Sequence, residues 1–273
     1  MLALLALLLA PPWGVRHDPI FAGDPTPGTV ALTPGELAAV GWLHFGGQPG
    51  PDGHQCTVTL LTARVALTAG HCFAAGVDGF EVSVGPDGTA PLATAAVVDA
   101  ALHPHDDVAL VLLDQPLDAA LPAFSPLPLA ITPPEGLLGH TLTAVGYGHQ
   151  GDGVAAGRRF ADLNVGCVEP AFLLLDSPRQ ALCKGDSGGP LLMLDPVLQR
   201  PAVVAIEVGG NRDCPDLADT PEAIEVWLAT QKDWMLRVDR VRLWIEAEAA
   251  RLEGRGLGAL CGGLSERGRC DGE

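Results

Sequence analysis

Apolar residues fall in short runs along most of this chain, and Gly- and Pro-rich breaks separate the runs. Val40, Trp42 and Leu43 stand among small residues over 38–45, and two runs enriched in β-branched residues follow at 56–61 and 63–68. Further runs lie at 82–84, 94–102, 108–113, 138–147, 160–168, 172–175, 191–194 and 203–208. Short apolar runs bounded by turn residues predict strands, and the 34 glycines and 24 prolines, spread along the chain, suit many strands joined by turns. Residues 11–35 read as an extended lead-in, and 46–53 and 148–157 as loops. The pattern changes from Glu222. Trp234, Val238, Val241 and Ile245 recur at helical spacing with charges between them, which predicts an amphipathic helix over about 230–253.

A chain of 273 residues can bury a sizeable core, as one large domain or two small ones. Hydrophobic residues make up 48% and charged residues 18%, a globular balance rather than a disordered one. The net charge of −17 argues against nucleic acid and anionic membranes as partners. Met1 to Ala10 is an apolar run ahead of Pro11 and Pro12, of signal-peptide length and too short to span a bilayer. A buried helix start is the other reading of it. Seven cysteines, at 56, 72, 167, 183, 214, 261 and 270, include no close Cys-x-x-Cys pair and fit an oxidising compartment better than a metal site. A secreted or extracytoplasmic location is therefore expected, with one thiol left over.

The candidate chemistry centres on Gly185-Asp186-Ser187-Gly188-Gly189-Pro190. Flanking glycines let a serine hydroxyl stand clear of its backbone, and N–H groups converging at such a turn can meet a developing oxyanion. A surface turn is the bland alternative. His71 follows Ala69-Gly70 at the end of a strand and precedes Cys72, so it is either a general base or a core histidine bonded to a carbonyl. Asp106 and Asp107 open the apolar run 108–113. A carboxylate buried there needs a partner, and His71 is a candidate; an acid in water at the strand edge is the alternative. His103 and His105 have no third ligand placed with them, so no metal is expected.

His71, Asp107 and Ser187 occur in that order, each inside a specific local pattern. Thr68-Ala69-Gly70-His71-Cys72 is similar to "T-A-A-H-C", Asp107-Val108-Ala109-Leu110 to "D-I-A-L", and residues 185–190 match "G-D-S-G-G-P" without change. Together with Gly146-Tyr147-Gly148, similar to "G-W-G", these resemble the chymotrypsin-like serine proteases of the trypsin family over roughly 20–240. The family's terminal helix with a tryptophan resembles the stretch around Trp234.

The resemblance implies an all-β fold of two antiparallel six-stranded barrels with a C-terminal α-helix. The protease domain would span 20–253, after a lead-in over 1–19 and before a Cys-containing tail over 254–273. Ser187 would be the nucleophile, His71 the base and Asp107 its orienting acid, with the N–H groups of Gly185 and Ser187 as the oxyanion hole. Cys56–Cys72 and Cys183–Cys214 would be family disulfides, Cys261–Cys270 a local extra, and Cys167 the remaining thiol. The substrate pocket would be lined by Ala181, where trypsin carries an acid, and by Gly210 and Ala223; such a pocket suits small or hydrophobic side chains. Glu207 and Glu225, assigned to strands near it, could add negative charge or be barrel-surface acids. Asp186 would be the activation partner of a new N-terminus at Ile20; Pro19 precedes Ile20, and Arg16 lies four residues before it. Either another protease trims to Ile20, or an internal arginine supplies the charge.

The expected protein is a secreted serine endopeptidase that needs no cofactor and acts as a monomer on polypeptides, with protein inhibitors as further partners. A catalytically silent binding protein on the same scaffold is the alternative.

Overall fold

The computed structural model describes residues 20–46, 54–74, 76–88, 90–121, 123–148, 157–211 and 220–262. The lead-in 1–19, most of the loops expected at 46–53 and 148–157, Cys214 and Cys270 lie outside the described residues.

Six strands build the first sheet: β1 (Val40–Phe45), β2 (His54–Leu60), β3 (Val65–Thr68), β4 (Phe80–Val84), β5 (Ala93–Leu102) and β6 (Ala109–Leu113). They close in the order β1-β2-β3-β6-β5-β4, every neighbour antiparallel. The second set is β7 (Thr141–Gly146), β8 (Arg159–Val168), β9 (Phe172–Asp176), β10 (Pro190–Asp195), β11 (Arg200–Gly210) and β12 (Asp233–Arg237), closed in the order β10-β11-β12-β9-β8-β7. Closure leaves neither sheet with a free edge, which antiparallel sheets otherwise have to cover or charge. The two-barrel, all-β architecture expected from the resemblance is thus observed.

Among the described residues three α-helices accompany the barrels: α1 (Pro34–Leu37), α2 (Pro221–Thr230) and α3 (Val238–Gly262). Helix α3 packs against β3, β6 and β11. It buries Val238, Val241, Ile245 and Leu252 along one stripe, while Leu243 on the other side is exposed. Strands β3 and β6 are buried at every position, so they read as unbroken apolar runs without alternation.

The expected helix over 230–253 is corrected at both ends. Residues 233–237 are strand β12, paired on one side with β11 and on the other with β9, and the helix runs from Val238 to Gly262, past the boundary expected at 253. Trp234 is therefore a half-exposed strand residue, and the tryptophan of the terminal helix is Trp244, whose ring lies 5.0 Å from that of His103. Spacings of four, three and four from Trp234 to Ile245 run across a strand–helix junction, so the periodicity carries on through a change of structure.

Tyr147, just past β7, fastens one barrel to the other. Its hydroxyl lies within hydrogen-bond reach of the carbonyl oxygens of Val40 (3.0 Å) and Gly85, and its ring packs 5.0 Å from Trp42. Burial pushes its phenol up to about 12.

Candidate active site

Strands β3 and β6 are antiparallel with Thr68 opposite Ala109, so the residues just after β3 and just before β6 share one end of the barrel. His71 sits there, in a single 3-10 turn over Gly70–Phe73, and Asp107 faces it. The ring Nδ1 donates to Asp107 Oδ2 at 2.7 Å, and the backbone N–H of His71 donates to Asp107 Oδ1 at 2.7 Å. A carboxylate only accepts, so Nδ1 carries a proton, which in the neutral ring leaves the lone pair on Nε2. Burial would raise the Asp107 carboxyl, but the hydrogen bonds from His71 outweigh it and hold it below the usual carboxylate range. Gly70 lies against the pair: a Cβ there would sit 3.0 Å from Asp107 Oδ1, a close contact that a small shift would relieve. Asp106 faces elsewhere, pairing with Arg240 of α3 at 3.0 Å.

A disulfide joins Cys72 to Cys56 and ties the His71 turn to β2. These two sulfurs and a His71 nitrogen lie within 4.8 Å of one another, but sulfurs bonded to each other are not thiolate ligands. Cys183 is also disulfide-bonded, while Cys167 in β8 is a free, half-buried thiol.

Ser187 comes from the second barrel, on the loop that leads into β10, and that loop is bolted to β2 by Thr57. The Thr57 N–H donates to Ser187 O at 2.8 Å and its hydroxyl to Gly185 O at 2.9 Å. The same hydroxyl accepts from the Tyr147 N–H at 3.1 Å, and Thr68 Oγ1 donates to Thr57 O at 2.8 Å. Sequence reasoning passed over Thr57, because nothing local marks a threonine whose partners are some ninety to a hundred and thirty residues away. Gly188, at φ +83°, is fixed by the same contact: a Cβ there would lie 2.1 Å from Thr68 Oγ1. Gly185 has φ +97°, and among the described residues the Ser187 N–H meets no acceptor. The structure thus joins His71 to Asp107 directly and brings Ser187 to the same barrel junction through backbone contacts.

Asp186 is fully buried. Its oxygens accept from Gly148 N–H (2.8 Å) and Cys183 N–H (2.7 Å). Burial, with the nearby charge of Asp233, pushes its carboxyl up to about 7 in spite of those two bonds. The Gly146-Tyr147-Gly148 pattern follows from this placement, since a Cβ at Gly146 would sit 1.9 Å from Asp186 Oδ1. No arginine or lysine pairs with Asp186 among the described residues. Ile20 is buried with φ +56°, and Phe21 bridges to Ala181 at 2.9 Å.

Ala181 is buried against Trp227 and Leu228 of α2. Gly210 faces Gln231 and Asp233. Ala223 and Glu225 lie exposed on α2, so the strand assignment of Glu225 is corrected. Thr220 caps this helix and Pro221 opens it, a start signal the sequence reading did not use. Glu207, by contrast, is in a strand and buried. Its Oε1 accepts from Gly209 N–H at 3.0 Å. Asp233 accepts from Leu182 N–H at 3.2 Å and from Gln231 Nε2 at 2.8 Å.

Two closed six-stranded barrels, with a histidine–carboxylate pair on one and a glycine-set serine loop on the other, define the class of two-barrel serine proteases. The sequence model of the trypsin family, "Trypsin", matches residues 28–224, and the chain belongs to that family. Granzyme M from Homo sapiens is similar to it, 29% identical over 214 residues that cover 68% of this chain and 79% of that protein.

Proposed function

We propose that this serine protease is a secreted endopeptidase that cleaves peptide bonds through an acyl-enzyme on Ser187. The observation that carries this reading is the double hydrogen bond from His71 to Asp107, which fixes the tautomer a general base needs. As Ser187 Oγ bonds to the scissile carbonyl carbon, its proton passes to His71 Nε2 and then to the leaving amine. Water repeats the sequence and frees the acid. Asp107 stays ionised throughout and balances the imidazolium. The N–H groups of Gly185 and Ser187 hold the oxyanion; removing one such donor costs about 3–4 kcal/mol of transition-state stabilisation.

The Cys56–Cys72 disulfide supports an oxidising, extracytoplasmic location. Among the described residues no helix is long and apolar enough to cross a membrane. Cleavage before Ile20 would free an amino group as the cation that buried Asp186 lacks. The Ala181 floor by itself favours a small or hydrophobic side chain before the scissile bond. Polypeptides are the substrates, protein inhibitors the further partners, and the monomer the working form.

Labelling with a fluorophosphonate, with Ser187→Ala as control and the N-terminus of the labelled protein sequenced, tests this reading. Label on Ser187 in the wild type and none in the variant is expected, with hydrolysis of a peptide amide lost by about 10⁴–10⁶-fold in the variant. The uncompensated burial of Asp186 favours a second reading, a silent binding protein on the same scaffold. Absence of label even after limited proteolysis ahead of Ile20 would select it.

A further inference from the structure

Residues 103–108 alone join β5 to β6, and they carry Asp107. One ring holds this turn from within. His103 Nδ1 accepts from the backbone N–H of Asp106 at 2.9 Å and from that of His105 at 3.3 Å. Asp106 Oδ2 also lies near this nitrogen, at 3.4 Å. With two N–H groups aimed at it, however, Nδ1 is an acceptor, and the ring proton is on Nε2. Around that hub the backbone closes on itself. His103 N–H donates to Val108 O at 2.9 Å, and Val108 N–H donates to Asp106 O at 2.8 Å. The two histidines of the turn therefore differ: His103 is built into it, while His105 is exposed.

Helix α3 backs the same turn. Trp244 meets the His103 ring edge-on, with centroids 5.0 Å apart and planes at 87°, and Arg240 Nε donates to Asp106 Oδ1 at 3.0 Å. Asp106 is thus held by its N–H, its carbonyl and its carboxylate, and Val108 by its N–H and its carbonyl. Asp107 stands between two residues whose backbones are fixed. What the fixing secures is direction. One Asp107 oxygen bonds to the His71 ring and the other to the His71 backbone N–H, both at 2.7 Å, which demands one orientation of the carboxylate. Of two adjacent acids, the clamp turns Asp106 towards α3 and leaves Asp107 aimed at His71. A misplacement of about 1 Å among reacting groups costs on the order of 10²-fold in rate, so the aim has kinetic weight.

We infer that His103 is a positioning residue for the reaction: as the acceptor inside the turn, with Trp244 behind its ring, it aims Asp107 at His71. This deepens the endopeptidase reading and rests on it for the word reaction, whereas the aim of Asp107 is a property of the resting chain. His103 acts through Asp107 and not on the reacting atoms. The chemistry it supplies is narrow, a side chain that accepts backbone N–H groups two and three residues ahead. Asparagine does the same in turns through its amide oxygen. Phenylalanine keeps a ring against Trp244 and has no acceptor. The two substitutions therefore separate the lone pair of His103 from its shape.

His103→Phe and His103→Asn in the full chain are read in two ways. Proton NMR of the resting protein measures how fast the His71 Nδ1 proton, the one bonded to Asp107, exchanges with water, and needs no turnover. Steady-state kcat and KM on a peptide amide are then measured in protein whose Ser187 takes the fluorophosphonate label. In His103→Phe the proton should exchange about tenfold faster or more, and kcat should fall about tenfold or more with KM within about twofold. His103→Asn should bring both back to within about threefold of the wild type. Should His103→Phe fail to fold, His103→Leu and Arg240→Met, which loosen the same turn from its two sides, take its place with the same readouts. Unchanged exchange and kcat in a folded variant without the acceptor overturn the inference, and so does an Asn variant as impaired as the Phe one. A lower melting temperature with unchanged exchange also overturns it, because a merely structural prop would do no more. Exchange that follows the acceptor, in a chain that takes no label and turns nothing over even as wild type, upholds the positioning of Asp107 and overturns the endopeptidase reading alone.

Discussion

In the first barrel one carboxylate, Asp107, takes two hydrogen bonds from one histidine, and its acidity is strengthened. In the second barrel Asp186, Glu207 and Asp233 are buried with N–H groups and an amide for company, and all three are pushed towards the neutral form, chiefly by burial. The contrast is one of timing. Asp107 has its partner in the resting protein and can orient His71 before any substrate arrives. The three acids of the second barrel have no cation paired with them among the described residues, and burial holds them toward the neutral form. A pair that is complete keeps its charge; a buried set without a cation gives it up.

The sharpest way to break the contrast is Asp107→Asn, which keeps the shape and reverses the hydrogen-bond preference of one atom. Turnover should fall about 10⁴-fold, with only the modest loss of stability that removing a hydrogen-bonded carboxylate brings. A fall of less than tenfold in steady-state kcat would mean that the first barrel's pair is structural.

The next effect is on stability and has a sign. Burial moves the Asp186 carboxyl from 3.8 to about 7, so between those values the folded chain keeps a proton the unfolded chain has released. Its contribution is full below about pH 4 and is lost as pH rises through about 7, on the order of a few kcal/mol. Asp233, moved from 3.8 to about 6, acts in the same direction. Asp107 acts in the opposite one, since its lowered carboxyl adds stability that disappears as pH falls. Thermal melts from pH 4 to 8 should show a declining limb, flattened in part by Asp186→Asn. A melting temperature that rises across that range would show that a cation already sits on the buried acids.

The smallest effect belongs to the residue that links the two barrels. Thr57→Val is nearly isosteric and deletes the bonds to Gly185 O and from Tyr147 N–H. It should lower stability by about 1–3 kcal/mol and slow fluorophosphonate labelling of Ser187. Urea unfolding and labelling rates on one preparation check both. Unchanged labelling would make the link purely structural.

How far the sequence could be followed depends on the range of the forces involved. Gly146, Gly148, Gly188 and Gly189 are legible because each stands where a Cβ would strike a neighbour, so the motif is nearly a record of the contact. Strands β3 and β6 are legible because burial on both faces demands an apolar run. Asp106 and Asp107 could not be separated by composition, since the choice rests on which faces His71 and which faces Arg240 of α3. The acids at 186, 207 and 233 form no local pattern at all and become neighbours only when β11 and β12 pair beside the serine loop. Glu207 could be read as a strand acid near the pocket, but whether it was buried or on the barrel surface could not.

Tyr147 is the chain's only tyrosine, and its phenol is sealed between the barrels. Nature has thereby placed a single optical label at the seam. While the halves stay together the ring resists ionisation until about pH 12, well beyond an ordinary phenol. Once they part it meets water and ionises like any other. The ultraviolet absorbance of one phenolate therefore reports the opening of the seam separately from the unfolding of either half, with no dye attached and no residue replaced.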